Sequence, residues 1–210
     1  MSKIGLALAG GGPLGGIYEV GACVALEEAI DGLSLVDADV YVGVSAGSFV
    51  AASLANGFEP RRLARMLLGS DGSQAFDPSL LLRPALREYL NRARAIPRLA
   101  LQAAREYLGN PWRHGLFESF QRLSRAIPTG LFDGAGVDAV LRRQFSEVGR
   151  SNDFRRLKAR LYVVATDLDS GQAVAFGGPA RDDVPISTAV QASAALPGLF
   201  PPVEIQGRHY

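Results

Sequence analysis

Two glycine-flanked turns, each directly after a short apolar segment, constrain this chain more than any other feature. Gly10-Gly11-Gly12-Pro13-Leu14-Gly15 follows Ile4 to Ala9, and Gly43-Val44-Ser45-Ala46-Gly47 follows Val40-Tyr41-Val42. Glycines let a strand bend sharply into a helix without steric conflict. Apolar spacing from Ile17 to Ile30, with Val20, Val24 and Ala25 inward and Glu27 and Glu28 outward, predicts a helix that ends at Asp31-Gly32. Ala46 to Ala55 predicts a second, closed by Asn56-Gly57 in the left-handed stop conformation. The order β-loop-α-β-turn-α calls for an α/β fold: a mostly parallel central sheet flanked by helices.

A chain of 210 residues fits one domain, 1–210, able to bury most of its apolar surface unaided. Hydrophobic content of 48%, charged content of 20% and mean hydropathy of +0.10 exclude a disordered chain and lean toward an interfacial habit. The single cysteine, Cys23, forbids an intramolecular disulfide; it sits in an apolar helical stretch, which predicts a buried, inert thiol. The leading apolar run is too short for a signal peptide, and no segment offers about twenty uncharged apolar residues, so the expected location is cytoplasmic with only peripheral membrane contact.

The net charge of +1 hides an asymmetry. Up to Pro60 only Lys3 opposes Glu19, Glu27, Glu28, Asp31, Asp37, Asp39 and Glu59, whereas the stretch at about 59–130 is helical in pattern and rich in arginine. This basic insertion over the sheet reads either as a surface for anionic lipid, with Leu80-Leu81-Leu82, Leu86, Tyr89 and Leu90 as an apolar stripe, or as solvated helices whose arginine stems cover a core. It lacks a nucleic-acid reading motif, and no nucleic-acid partner is expected. Beyond it, the pattern predicts a helix from Gly134 to Gln144, a core strand from Leu161 to Thr166, a turn at Asp169-Ser170-Gly171 into a strand from Ala173 to Phe176, and a helix from Val184 or Pro185 to Ala195.

A serine hydroxyl is a poor nucleophile until it is exposed on a strained turn, given a base within about 3 Å and faced by donors for the oxyanion. Ser45, flanked by Gly43 and Gly47 at a helix amino terminus, meets the first condition, and the backbone amides of Gly10, Gly11 and Gly12 suit the last. Two rival readings stand beside this one. The Ser45 turn is also consistent with a chance G-x-S-x-G sequence, and the first glycine run also satisfies G-x-G-x-x-G, a dinucleotide fingerprint, with Asp37 and Asp39 near the spacing of a ribose acid.

Taken together, the two glycine motifs, Thr166-Asp167-Leu168-Asp169-Ser170-Gly171 and Ala192-Ser193-Ala194-Ala195-Leu196-Pro197-Gly198-Leu199-Phe200-Pro201-Pro202 resemble the catalytic domain of the patatin-like phospholipase family, in the family's order. The resemblance implies a three-layer α/β sandwich. It also implies a lipid acyl hydrolase of the phospholipase A or lysophospholipase type, with Ser45 as nucleophile in a Ser–Asp dyad and the glycine run as oxyanion hole. The substrate would be a phospholipid or other acyl lipid, with no metal or organic cofactor required. The alternative is a non-catalytic lipid-binding or regulatory module that has lost the base.

The family's catalytic aspartate belongs to a D-G-[GA] element after the proline-rich segment, and this chain stops at Gln206-Gly207-Arg208-His209-Tyr210, where that element would begin. The expectation is a fragment or shortened product whose base lies beyond Tyr210 and which alone is nearly inactive. Asp133-Gly134-Ala135 has the right letters in the wrong place and reads more naturally as a helix cap, with Asp133 a minor candidate for the base. His209 with Asp167 or Asp169 is a minor candidate for a triad, His114 reads as a surface residue, and two histidines with one cysteine argue against zinc.

Overall fold

The computed structural model describes residues 3–69 and 134–210. The apolar stripe from Leu80 to Leu90, His114, Asp133 and most of the basic stretch lie outside the described residues.

Four strands form one sheet in the order β1 (Gly5–Leu8), β2 (Val40–Val44), β3 (Arg160–Thr166), β4 (Ala173–Phe176). The β1–β2 and β2–β3 pairs are parallel and β3–β4 is antiparallel, so the sheet is mostly parallel, as its alternation with helices predicts. Gly171, at φ 71°, turns the β3–β4 hairpin at the expected place. Register aligns Leu8, Gly43, Val163 and Phe176 in one row across the sheet, and all four are buried. Onto this face pack α2 (Ala46–Ala55), which crosses β1, β2 and β3, and α5 (Ile186–Ala194), which lies on β3. The side chains of the opposite face, including Val42, Val44, Tyr162 and Val164, are only half-buried or exposed.

Around this layer, α1 (Gly12–Ala29) packs on α2 and on α3 (Pro60–Leu67), while α4 (Ala135–Phe145) packs on α5. Leu54, Val163, Phe176 and Ile186 are fully enclosed, each contributing roughly 1.5–3 kcal/mol of burial. Tyr41 is equally enclosed and donates its hydroxyl to the Leu35 carbonyl at 2.7 Å; burial pushes its ionisation up to about 12.

Several local expectations need correction. Helix α1 begins at Gly12, not near Ile17: Pro13 stands in the first turn, where its missing N–H costs nothing, so the end of the glycine run is already helical. Its buried residues are Val20 and Cys23; Ala25 is exposed, and Glu27 turns inward enough to accept the Leu35 N–H at 2.7 Å. The apolar segment from Ile4 to Ala9 forms β1 only over Gly5–Leu8, and Ile4, Gly5 and Ala7 are exposed. The position capping α4 is Gly134, with no side-chain cap. The chain ends in a hairpin too short to leave a periodic pattern, β5 (Glu204–Ile205) and β6 (Arg208–His209), turned by Gln206 and Gly207 at positive φ.

Helix α2 runs over the predicted Ala46 to Ala55, and Gly57, at φ 77°, closes it. Among the described residues no helix is long and apolar enough to cross a membrane.

Candidate active site

Ser45 is the single residue between β2 and α2. Its backbone adopts φ 51° and ψ −120°, a conformation that costs a non-glycine residue roughly 1–3 kcal/mol. The surroundings compensate for that strain. The Ser45 carbonyl accepts the Ser48 hydroxyl at 2.5 Å and the Ser48 N–H at 3.0 Å. The Ser45 N–H donates to Ser193 Oγ at 2.7 Å, and Ser193 in turn donates to the Val164 carbonyl at 2.5 Å.

The flanking glycines are set by close approach. A Cβ on Gly43 would lie 2.5 Å from the Ser48 Cα, because α2 dips into the core row where Gly43 has no side chain. A Cβ on Gly47 would lie 2.5 Å from the Ala9 carbonyl oxygen. The two loops therefore touch, and a Cβ on Gly10 would stand 3.3 Å from the Ser45 Cβ. Gly12, at φ 60°, carries the chain from the loop into α1. None of the Gly10, Gly11 and Gly12 amides donates a hydrogen bond among the described residues. The half-buried Ser45 thus sits beside unengaged N–H groups and at the amino terminus of α2, where partial positive charge favours an anion. Such an arrangement can stabilise a negative oxygen formed next to the hydroxyl.

Glu19, one to two turns into α1, faces the back of this loop. Burial pushes its carboxyl up, opposed by the Ala9 amide, and its enclosed Oε2 has no hydrogen-bond partner among the described residues. Cys23, a turn further on, is buried, and burial followed by the charges of Glu19 and Glu27 pushes its thiol up to about 11, which keeps it protonated and inert as expected.

The other sequence candidates lie elsewhere in the hydrogen-bond network. Asp167 accepts the N–H groups of Asp169 at 3.0 Å and Ser170 at 3.3 Å and pairs with Arg208 at 2.8 Å. Burial pushes its carboxyl up, but these donors and the guanidinium outweigh it and hold the group below the usual carboxylate range. Asp169 accepts the His209 N–H at 3.0 Å and lies 3.6 Å from His209 Nδ1. Both aspartates thereby fasten the β3–β4 turn to the final hairpin, and His209 is brought to Asp169 without a hydrogen bond to Ser45. Among the described residues no carboxylate or imidazole hydrogen-bonds to the Ser45 hydroxyl.

Asp37 and Asp39 lie before β2, at the end of the sheet away from the glycines. Asp39 accepts the Ile4 N–H at 2.9 Å and Asp37 the Ser34 hydroxyl at 2.7 Å. Neither stands where a ribose acid beside the glycine loop would, so the dinucleotide reading lacks its acid. Sequence reasoning missed Ser48, Ser193 and Glu19. Ser193 appeared only as one letter of the Ala192–Pro202 motif, with nothing local to report a bond to a residue so distant in the chain.

A sequence model of the family described as "Patatin-like phospholipase" matches residues 6–210. No curated protein matches the chain. Among solved structures, VipD from Legionella pneumophila is similar over 100% of this chain and 45% of its own, with 19% identity and a TM-score of 0.51. The type III effector protein ExoU is similar over 92% of this chain and 40% of its own, with 25% identity and a TM-score of 0.48. ExoU in complex with SpcU, from Pseudomonas aeruginosa, is similar over 93% and 38%, with 22% identity and a TM-score of 0.48. The chain spans less than half the length of these proteins, and the VipD likeness speaks for the fold alone.

Proposed function

This chain belongs to the patatin-like phospholipase family, and from that premise we propose that it is a serine lipid acyl hydrolase with Ser45 as nucleophile. In this reading a base draws the proton from Ser45 Oγ as the oxygen attacks an ester carbonyl. The carbonyl oxygen becomes an oxyanion received by the amides of Gly10, Gly11 and Gly12. Collapse of the tetrahedral adduct expels the alcohol, which takes the proton, and water attacks the acyl-enzyme with help from the same base. Gly43 and Gly47 let the bend form. A phospholipid or other acyl lipid is the substrate, met by peripheral contact with a membrane from the cytoplasm.

The observation that carries the reading is the positive φ of Ser45 at a strand-to-helix bend, with Gly10 against its Cβ. An undirected G-x-S-x-G turn has no reason to hold a serine in a strained conformation beside unengaged amides. The test is hydrolysis of phosphatidylcholine vesicles or lysophosphatidylcholine micelles. Measured on the protein's complete natural chain, Ser45→Ala is expected to lower turnover by a factor of about 10⁴ or more, with an unchanged melting temperature; equal turnover by the two complete proteins overturns the proposal. The rival to this proposal is a non-catalytic lipid-binding module. It predicts vesicle binding without release of fatty acid, equal in wild type and Ser45→Ala.

A further inference from the structure

The Ser193 hydroxyl stands between two strands at the point where they part. Val44 and Val164 are the last register partners of the parallel β2–β3 pair. The ladder would continue with the Ser45 N–H meeting the Val164 carbonyl. Instead the Ser193 hydroxyl intervenes, accepting from the former at 2.7 Å and donating to the latter at 2.5 Å. One side chain from the last turn of α5 therefore satisfies both groups at the point where the chain leaves the sheet.

We propose that Ser193 is a positioning residue for the Ser45 nucleophile: its hydroxyl holds the strained bend in the conformation that presents Ser45 Oγ beside the glycine amides. The inference rests on the hydrolase reading above. It also withdraws the Ser45 N–H from the donors open to an oxyanion, leaving that task to the glycine run. Without the hydroxyl, the Ser45 N–H and the Val164 carbonyl lose their shared partner. The bend then relaxes toward an ordinary strand conformation, in which Ser45 Oγ points elsewhere.

The test, made on the protein's complete natural chain, is the rate at which an alkyl fluorophosphonate labels Ser45, where attack by Oγ on phosphorus expels fluoride, with the modified residue identified by mass spectrometry. Rates are compared at equal folded fraction, set by thermal melts of each protein. Ser193→Ala is expected to label at least tenfold more slowly than wild type, and Ser193→Thr, which keeps the hydroxyl, to regain most of the rate. A purely structural role would lower the melting temperature of Ser193→Ala without changing the rate per folded molecule, and that result overturns the inference while leaving the nucleophile reading intact. A wild-type protein that takes no label at Ser45 overturns the hydrolase reading, and the role of Ser193 with it.

Discussion

The two ends of the parallel strands differ in where their polar groups find partners. At the carboxyl ends, amides unengaged among the described residues, one strained residue and the hydroxyls of Ser48 and Ser193 define the glycine loop and the Ser45 bend, with Glu19 behind the loop and the Asp167–Arg208 pair at the end of β3. At the amino ends lies a cavity of about 630 Å³ lined by residues including Asp37, Asp39, Asn56, Arg150 and Lys158. Several of its polar groups already have partners: Arg150 pairs with Glu147 and stacks 3.7 Å above the Phe58 ring, Lys158 reaches Asp37, and Asn56 accepts the Ser151 N–H at 2.8 Å. In the proposed reading the charged cavity serves the fold, and the tight bend with open donors is the end that would carry the chemistry. Charge that is already matched has little left to offer a ligand, whereas an amide that the fold leaves open does.

Three substitutions bear on that contrast. Gly47→Ala has the largest expected effect on folding, because its Cβ would overlap the backbone of Leu8 and Ala9 at 2.5–2.6 Å. Destabilisation of about 2–4 kcal/mol is expected in urea unfolding, with Ser45 labelling lost in parallel; a stable, fully reactive Gly47→Ala would break the account of the bend. Arg150→Ala, at the other end, is expected to cost about 1–2 kcal/mol through lost stacking and packing. Labelling per folded molecule should not change, and a slower rate would erase the distinction between the two ends.

Glu19→Gln has the smallest expected effect. The folded protein holds the Glu19 proton more tightly than the unfolded chain does. Stability from this group is therefore full below the ordinary carboxylate range, falls as pH climbs toward the raised value, and is level above it. Glutamine removes that fall, so the variant should gain slightly on wild type at neutral pH and not in acid, as read by melting temperature across pH 3 to 8. A variant that loses stability at neutral pH would show that the charged carboxylate supports the glycine loop.

Much of the local geometry was legible in the sequence because short-range rules govern it. The bounds of α2, the stop at Gly57 and the hairpin at Gly171 follow from propensity and turn chemistry within a few residues. The start of α1 was misplaced because glycines argue against a helix, whereas Pro13 in the first turn and packing on α2 and α3 decide for one. Glu27 was assigned to solvent because periodicity cannot see the Leu35 amide that draws it in. Ser193 was the least visible, since a serine near a helix end has many local uses and its partners, Ser45 and Val164, are remote in the chain.

The close approaches at residues 43 and 47 bear on how relatives of this chain should be read. Neither position tolerates even a methyl group, for reasons of interlocking backbone that hold whether or not a reaction takes place. A lineage that abandoned the chemistry would still have to keep both glycines to fold, so their persistence in a distant homologue attests to architecture; the residue at position 45 between them, together with a base to serve it, is what would speak to turnover.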